Sequence, residues 1–210
     1  MERFFNTAGP FKTDLHYYID QLKRLDLKEV LMLIRQQKYF VMHAPRQTGK
    51  TSCMLALRDY LNARNDYIAV YATVEGGQAS RNNAPSVVRS TIDTLAEEFR
   101  GVVGIDLPLQ IRDEVRQVEP GLMLSTYLRR LAESLPKPII LVIDEIDALV
   151  GDSLVSVLHQ IWSGYANRPK AFPQSSILCS SVDICDHRIF PALTEDRSVL
   201  NMLSGSIAID

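Results

Sequence analysis

The chain has 210 residues, 46% apolar and 23% charged, a composition that suits one globular domain and excludes a disordered chain. Lys and Arg number 23 against 25 Asp and Glu, and the net charge of −2 excludes a strongly basic nucleic-acid arm. A domain of this length buries enough surface to fold without disulfides or structural metals.

Between about Leu15 and Gln37, Leu22, Leu25, Val30, Leu33 and Ile34 recur at helical spacing and predict a helix. Lys38 to His43 reads as a short buried strand, Ala44 to Gly49 as a loop, and Lys50 to Ala63 as a helix with Met54, Leu55, Leu57 and Leu61 on its apolar side. Tyr67 to Tyr71 predicts the next strand, and Glu75 to Gln78 a turn. A helix from about Pro85 to Phe99 follows, its proline tolerated at the start because the missing N–H would be unpaired there. Residues 101–121 mix charge with glycines and prolines and predict an insertion of undetermined structure.

A helix around Ser125 to Leu135 must end before Pro136 and Pro138. Ile139 to Ile143 is a continuous apolar run, the pattern of a parallel strand buried on both faces. Ser153 to Tyr165 predicts a helix and Ser176 to Ser180 a strand, while the last thirty residues carry the weakest pattern. Strands alternating with helices give an α/β fold with a mainly parallel sheet. The Ile139 run is far too short for a membrane span, and Met1 to Asn6 lacks the apolar stretch of a secretory signal. Cys53, Cys179 and Cys185 have no zinc-ligand spacing and point to a reducing compartment. The expectation is a soluble cytoplasmic domain.

Two stretches carry chemistry. Ala44-Pro45-Arg46-Gln47-Thr48-Gly49-Lys50-Thr51 has the spacing of a Walker A loop, with alanine in the place of the first glycine. Such a loop turns backbone N–H groups toward phosphates, and the following helix adds its positive dipole end. Gly49 permits close backbone approach, Lys50 would reach the β- and γ-phosphates, and the Thr51 hydroxyl would complete a Mg²⁺ shell. The second stretch, Asp144-Glu145, ends the Ile139 strand at the sheet edge where ligands sit in this fold class. Asp144 would help hold Mg²⁺ and Glu145 would take a proton from attacking water, or both are solvated carboxylates capping the next helix.

Other signals are divided. Ser180 and Ser181 are either a γ-phosphate sensor or ordinary turn serines. Arg129, Arg130, Arg168, Arg188 and Arg197 are candidates for a finger that completes a neighbour's site, or plain surface arginines. The four scattered histidines suggest no metal role, and Trp162 reads as core.

Ala44 to Thr51 together with Ile139 to Asp147 resembles the additional-strand, catalytic-glutamate division of P-loop ATPases. More narrowly, the chain is similar to prokaryotic AAA-like ATP-binding proteins of the AAA+ and STAND type. The segments Phe4 to Pro10, Tyr39 to Thr51 and Ala171 to Ser175 carry that likeness. The resemblance implies a three-layer α-β-α sandwich in which the Ser176 strand lies between the two motif strands. It implies residues 1–37 as an adenine-side segment and helix, 38–190 as the ATPase core, and 191–210 as an atypical tail with the usual lid missing. It further implies that residues 6–10 pack near the adenine. Relatives often carry an arginine after the fourth strand, where this chain has Ser180-Ser181-Val182-Asp183, and another at the position of Trp162.

The reading is ATP binding with Mg²⁺-dependent hydrolysis, a second copy of the chain or a regulatory protein being the expected partner. Two alternatives stay open at this level: a non-hydrolysing nucleotide switch acting on a protein or nucleic acid, and an inert truncated remnant.

Overall fold

The computed structural model describes residues 20–76, 82–181 and 203–209. Among these residues five parallel strands form one sheet: β1 (Tyr39–His43), β2 (Ile68–Thr73), β3 (Ile139–Asp144), β4 (Ser175–Ser180) and β5 (Leu203–Ala208). Their spatial order is β2-β3-β4-β1-β5, so β4 does lie between the two motif strands. Among the described residues six α-helices accompany them: α1 (Leu27–Arg35), α2 (Lys50–Ala63), α3 (Ala84–Val103), α4 (Leu107–Val115), α5 (Pro120–Ser134) and α6 (Gly151–Trp162).

The apolar strands have their side chains divided between two cores. Tyr39 and Val41 of β1 and Ile139, Leu141 and Ile143 of β3 enter a core closed by α3, α4, α5 and α6. Phe40 and Met42, with Ile140 and Val142, enter a second core closed by α1 and α2. Because side chains alternate across a strand, an unbroken apolar run is what a sheet covered on both faces requires. The result is the expected three-layer sandwich. Trp162 is buried in the first of these cores, as expected.

The structure differs from the sequence reading in three places. The first helix is broken: a short 3-10 turn at Gln21–Arg24 precedes α1, and the Asp26 carboxylate accepts from the Glu29 N–H to start α1 anew. Residues 101–121 are not an irregular insertion. Gly104, at φ 72°, stops α3 in the left-handed conformation, and Pro108 and Pro120 each stand in the first turn of a new helix. The punctuation was that of helix ends rather than loops.

The third difference is at the tail. Residues 203–208, which matched no expected pattern, are the edge strand β5, paired in parallel with β1. Ile207 and Ile209 join the core beneath α1 and α2. The remainder of the tail and the segment 6–10 lie outside the described residues. Among those described, no helix is long and apolar enough to cross a membrane.

Candidate functional site

In a sheet of this type the carboxyl ends of the strands open onto the ligand crevice. β1 and β3 both end there. After His43 the pairing runs on for one residue, Ala44 N–H donating to the Ser180 carbonyl at 3.3 Å. The chain then curls, with Gln47 at φ 63° and Gly49 at φ 81°, and the Thr48 hydroxyl closes the curl on the Pro45 carbonyl at 2.8 Å. Gly49 precedes α2 as its N-cap and supplies no side-chain acceptor for the first-turn N–H groups. Those donors, with the dipole end of a 14-residue helix, make the loop a seat for an anion. Pro45, Arg46 and Gln47 are exposed, whereas Lys50 is buried apart from 9% of its surface.

Asp144, the last residue of β3, is fully buried, and both of its carboxylate oxygens accept hydrogen bonds. Its Oδ2 accepts from the Thr51 hydroxyl at 2.9 Å and from the Tyr71 hydroxyl at 2.9 Å, and its Oδ1 accepts from the Glu145 N–H at 2.9 Å. Residues 93 positions apart thus meet in one hydrogen bond, which joins the loop after β1 to the acidic end of β3. The same contact argues against the plain-capping reading of Asp144, since its carboxylate turns inward to α2 and β2.

Glu145 stands just beyond, at φ 59° and ψ 37°, a left-handed conformation that costs a non-glycine residue energy and recurs at functional sites. Burial pushes its carboxyl above the usual glutamate range, the nearby carboxylates of Glu75 and Asp144 push it further, and the Lys50 ammonium opposes the rise. Lys50, Thr51, Asp144 and Glu145 therefore share one electrostatic neighbourhood. Asp147 accepts from the Ser181 N–H at 3.2 Å and from the Ser181 hydroxyl, tying the end of β4 to the turn after β3.

Two members of the site escaped the sequence reading. Tyr71 was read only as the flank of a strand. Counting in twos from Ala69 puts it on the α2 face, where it reaches Asp144. Burial, then the Asp144 charge, raise the phenol strongly and keep it a proton donor. Arg24 has no local signal at all, yet its Nη1 donates to the Thr48 carbonyl inside the loop.

The finger candidates separate. Arg130 pairs with Glu114, Arg168 stacks on Tyr165 at 3.2 Å and lies 5.0 Å from the Tyr39 ring, and Arg129 is exposed on α5. Arg188 and Arg197 lie outside the described residues. A cavity of about 360 Å³ opens elsewhere, between α3, α4 and α5, lined by Arg89, Arg112 and Arg116 with Ile92, Asp93 and Met123. Asp93 and Asp113 already pair with Arg112 and Arg116, so the strand-end cluster has the stronger claim to chemistry.

A divalent ion fits that cluster. Among the described residues no group of three or more His, Cys, Asp or Glu side chains forms a self-sufficient metal cage. The Thr51 hydroxyl and Asp144 carboxylate are hard oxygen donors, and two such donors beside phosphate oxygens are what Mg²⁺ takes.

The family described as Nephrocystin 3, N-terminal matches residues 22–181. No curated protein sequence matches the chain. Among solved structures, a Walker-type ATPase of Pyrococcus abyssi is similar at TM-score 0.61 and 17% identity, over 97% of this chain and 56% of that one. Cdc6p of Pyrobaculum aerophilum is similar at TM-score 0.53 and 16% identity, over 90% of this chain and 44% of that one. The ORC2 protein of Aeropyrum pernix, solved as ADPNP–ADP complexes, is similar at TM-score 0.50 and 12% identity, over 87% of this chain and 46% of that one. The chain thus spans about half the length of these relatives, and the likeness is one of fold: that of P-loop AAA+-type ATPases.

Proposed function

Because the chain belongs to the Nephrocystin 3 N-terminal family and has a P-loop AAA+-type fold, we propose that Ala44 to Thr51 with Asp144 and Glu145 form an ATP site that hydrolyses the β–γ bond. The observation that carries this reading is the Thr51–Asp144 hydrogen bond, which brings the two motif stretches together at the strand ends.

Each residue then has a task its chemistry suits. The loop N–H groups bind the phosphates without needing to reorganise, and Lys50, desolvated by its burial, neutralises charge that grows on the transferred phosphoryl group. Thr51 and Asp144 would hold Mg²⁺, which supplies further charge neutralisation when bound. Tyr71 fixes the Asp144 carboxylate so that the remaining lone pair on Oδ1 keeps one direction. Glu145 has a carboxyl raised above the usual glutamate range, which suits a base that takes a proton from water and orients that water in line.

The test is phosphate release by the purified chain with ATP, in Mg²⁺ and in chelator, beside calorimetric titration of ATP. Saturable binding with Mg²⁺-dependent release supports the proposal. Binding without release would leave a nucleotide switch. Failure to bind ATP or GTP would remove the site.

A further inference from the structure

We infer that Arg24 is a positioning residue: by holding the Thr48 carbonyl it directs the Gly49 N–H toward the nucleotide phosphates. The inference rests on the phosphate-loop reading above and adds a residue from outside that loop.

A trans peptide is planar, with its C=O and N–H pointing in opposite directions. The Arg24 Nη1 donates to the Thr48 carbonyl, so the N–H of the same peptide, which belongs to Gly49, points away from Arg24. Gly49 has no Cβ to bar the alternative: a residue free at positive φ lets the peptide before it swing over, which would present a carbonyl oxygen to the anion. A bond from a charged donor is roughly twice as strong as a neutral one, which makes a guanidinium an effective latch.

The latch is itself anchored away from the loop. Arg24 ends the 3-10 turn Gln21–Arg24, which Asp20 caps through the Leu22 N–H at 3.1 Å. Gln21 Oε1 accepts from the Cys53 thiol in the first turns of α2 at 3.2 Å, and the next residue, Leu25, is buried in the core under α1 and α2. The guanidinium therefore fits tightly over the loop. A Cβ on Gly49 would lie 3.0 Å from its Nη1.

The competing explanation is that Arg24 only adds positive charge near the phosphates. Calorimetric titration of MgATP on the parent, Arg24→Ala, Arg24→Lys and Lys50→Ala separates the two, at ~0.05 M and ~0.5 M ionic strength. Arg24→Ala is expected to lose about tenfold to a hundredfold in affinity at both ionic strengths, and Arg24→Lys, which keeps one donor, to recover part of it. The Gly49 amide resonance should shift on adding MgATP to the parent and fail to do so in Arg24→Ala.

Parent-like binding by Arg24→Ala while Lys50→Ala binds poorly would overturn the positioning role and leave the site intact. A loss that vanishes at the higher ionic strength would also overturn it, in favour of plain charge. If Lys50→Ala binds like the parent, the phosphate-loop reading fails and this inference with it. A double-mutant cycle with Gly49→Ala gives a second readout: the strain of an alanine at φ 81° is the same in both backgrounds, but its clash with Arg24 is lost once Arg24 is gone, so the two costs should fall short of additivity. Additive costs would count against it. If Arg24→Ala does not fold, the lysine variant carries the same comparison.

Discussion

Glu145 sits where three carboxylates converge, and its raised carboxyl sets two outcomes of opposite sense. For the proposed chemistry, Glu145 must be ionised to act as the base, so hydrolysis should climb as pH rises through a value above the usual glutamate range. Glu145→Gln is expected to cut phosphate release by about 10²- to 10⁴-fold while ATP affinity stays within a few fold. For stability the sign reverses. A carboxyl that holds its proton to higher pH in the fold than in the unfolded chain makes stability fall as pH rises between those two values. Glu145→Gln should therefore melt slightly above the parent at neutral pH, with the gap closing below the ordinary glutamate pKa. The gap will be small, because Glu145 is partly exposed and water screens its neighbours. In the proposed site Tyr71 would act through Asp144. Tyr71→Phe should raise the Mg²⁺ concentration for half-maximal hydrolysis by about tenfold, read by titrating Mg²⁺ at fixed ATP, and an unchanged midpoint would remove that role.

Among elements, β2 has a problem that β1, β3 and β4 lack. It is an edge of the sheet, and its outward N–H and C=O groups need partners. Asn62, near the end of α2, supplies them for Ala69: its Nδ2 donates to the Ala69 carbonyl at 2.8 Å, and its Oδ1 accepts from the Ala69 N–H at 2.9 Å. A side-chain amide presents the same donor and acceptor as a backbone peptide, so Asn62 imitates one residue of a neighbouring strand. It also joins α2, which begins at the proposed phosphate loop, to the strand that carries Tyr71. Asn62→Leu leaves both Ala69 groups short of partners. The expected loss is about 1–3 kcal/mol, seen as a lower urea midpoint with an unchanged slope.

For the whole molecule, the proposed ligand and the fold would be linked through the same strand ends. ATP that binds only the native chain stabilises it, by about 2.7 kcal/mol when present at ~100 times its Kd. In a domain of this size that raises Tm by roughly 5–10 °C. The rise should require Mg²⁺ for its full extent and disappear in Lys50→Ala, which loses the buried cation of the loop. Running GTP beside ATP shows how far the base is read, since phosphates and Mg²⁺ contribute equally to both.

The sequence by itself determined what depends on neighbours along the chain. Apolar residues at helical spacing marked α2, and unbroken apolar runs marked β1 and β3, because both patterns follow from local geometry, and the proposed phosphate loop 44–51 was legible because its donors are contiguous. Residues 101–121 were illegible for a related reason: glycine and proline punctuate helix ends and loops alike, and only packing of α4 against α3 and α5 chose between them. Residues 203–208 became a strand because β1 offered an open edge, which nothing within Leu203 to Ala208 announces. The meeting of Thr51 with Asp144, the turn of Tyr71 onto the same carboxylate, and the reach of Arg24 to Thr48 were likewise settled by strand order and helix docking. Strand order and docking are sums of many small contacts between distant segments, and no window of sequence contains them.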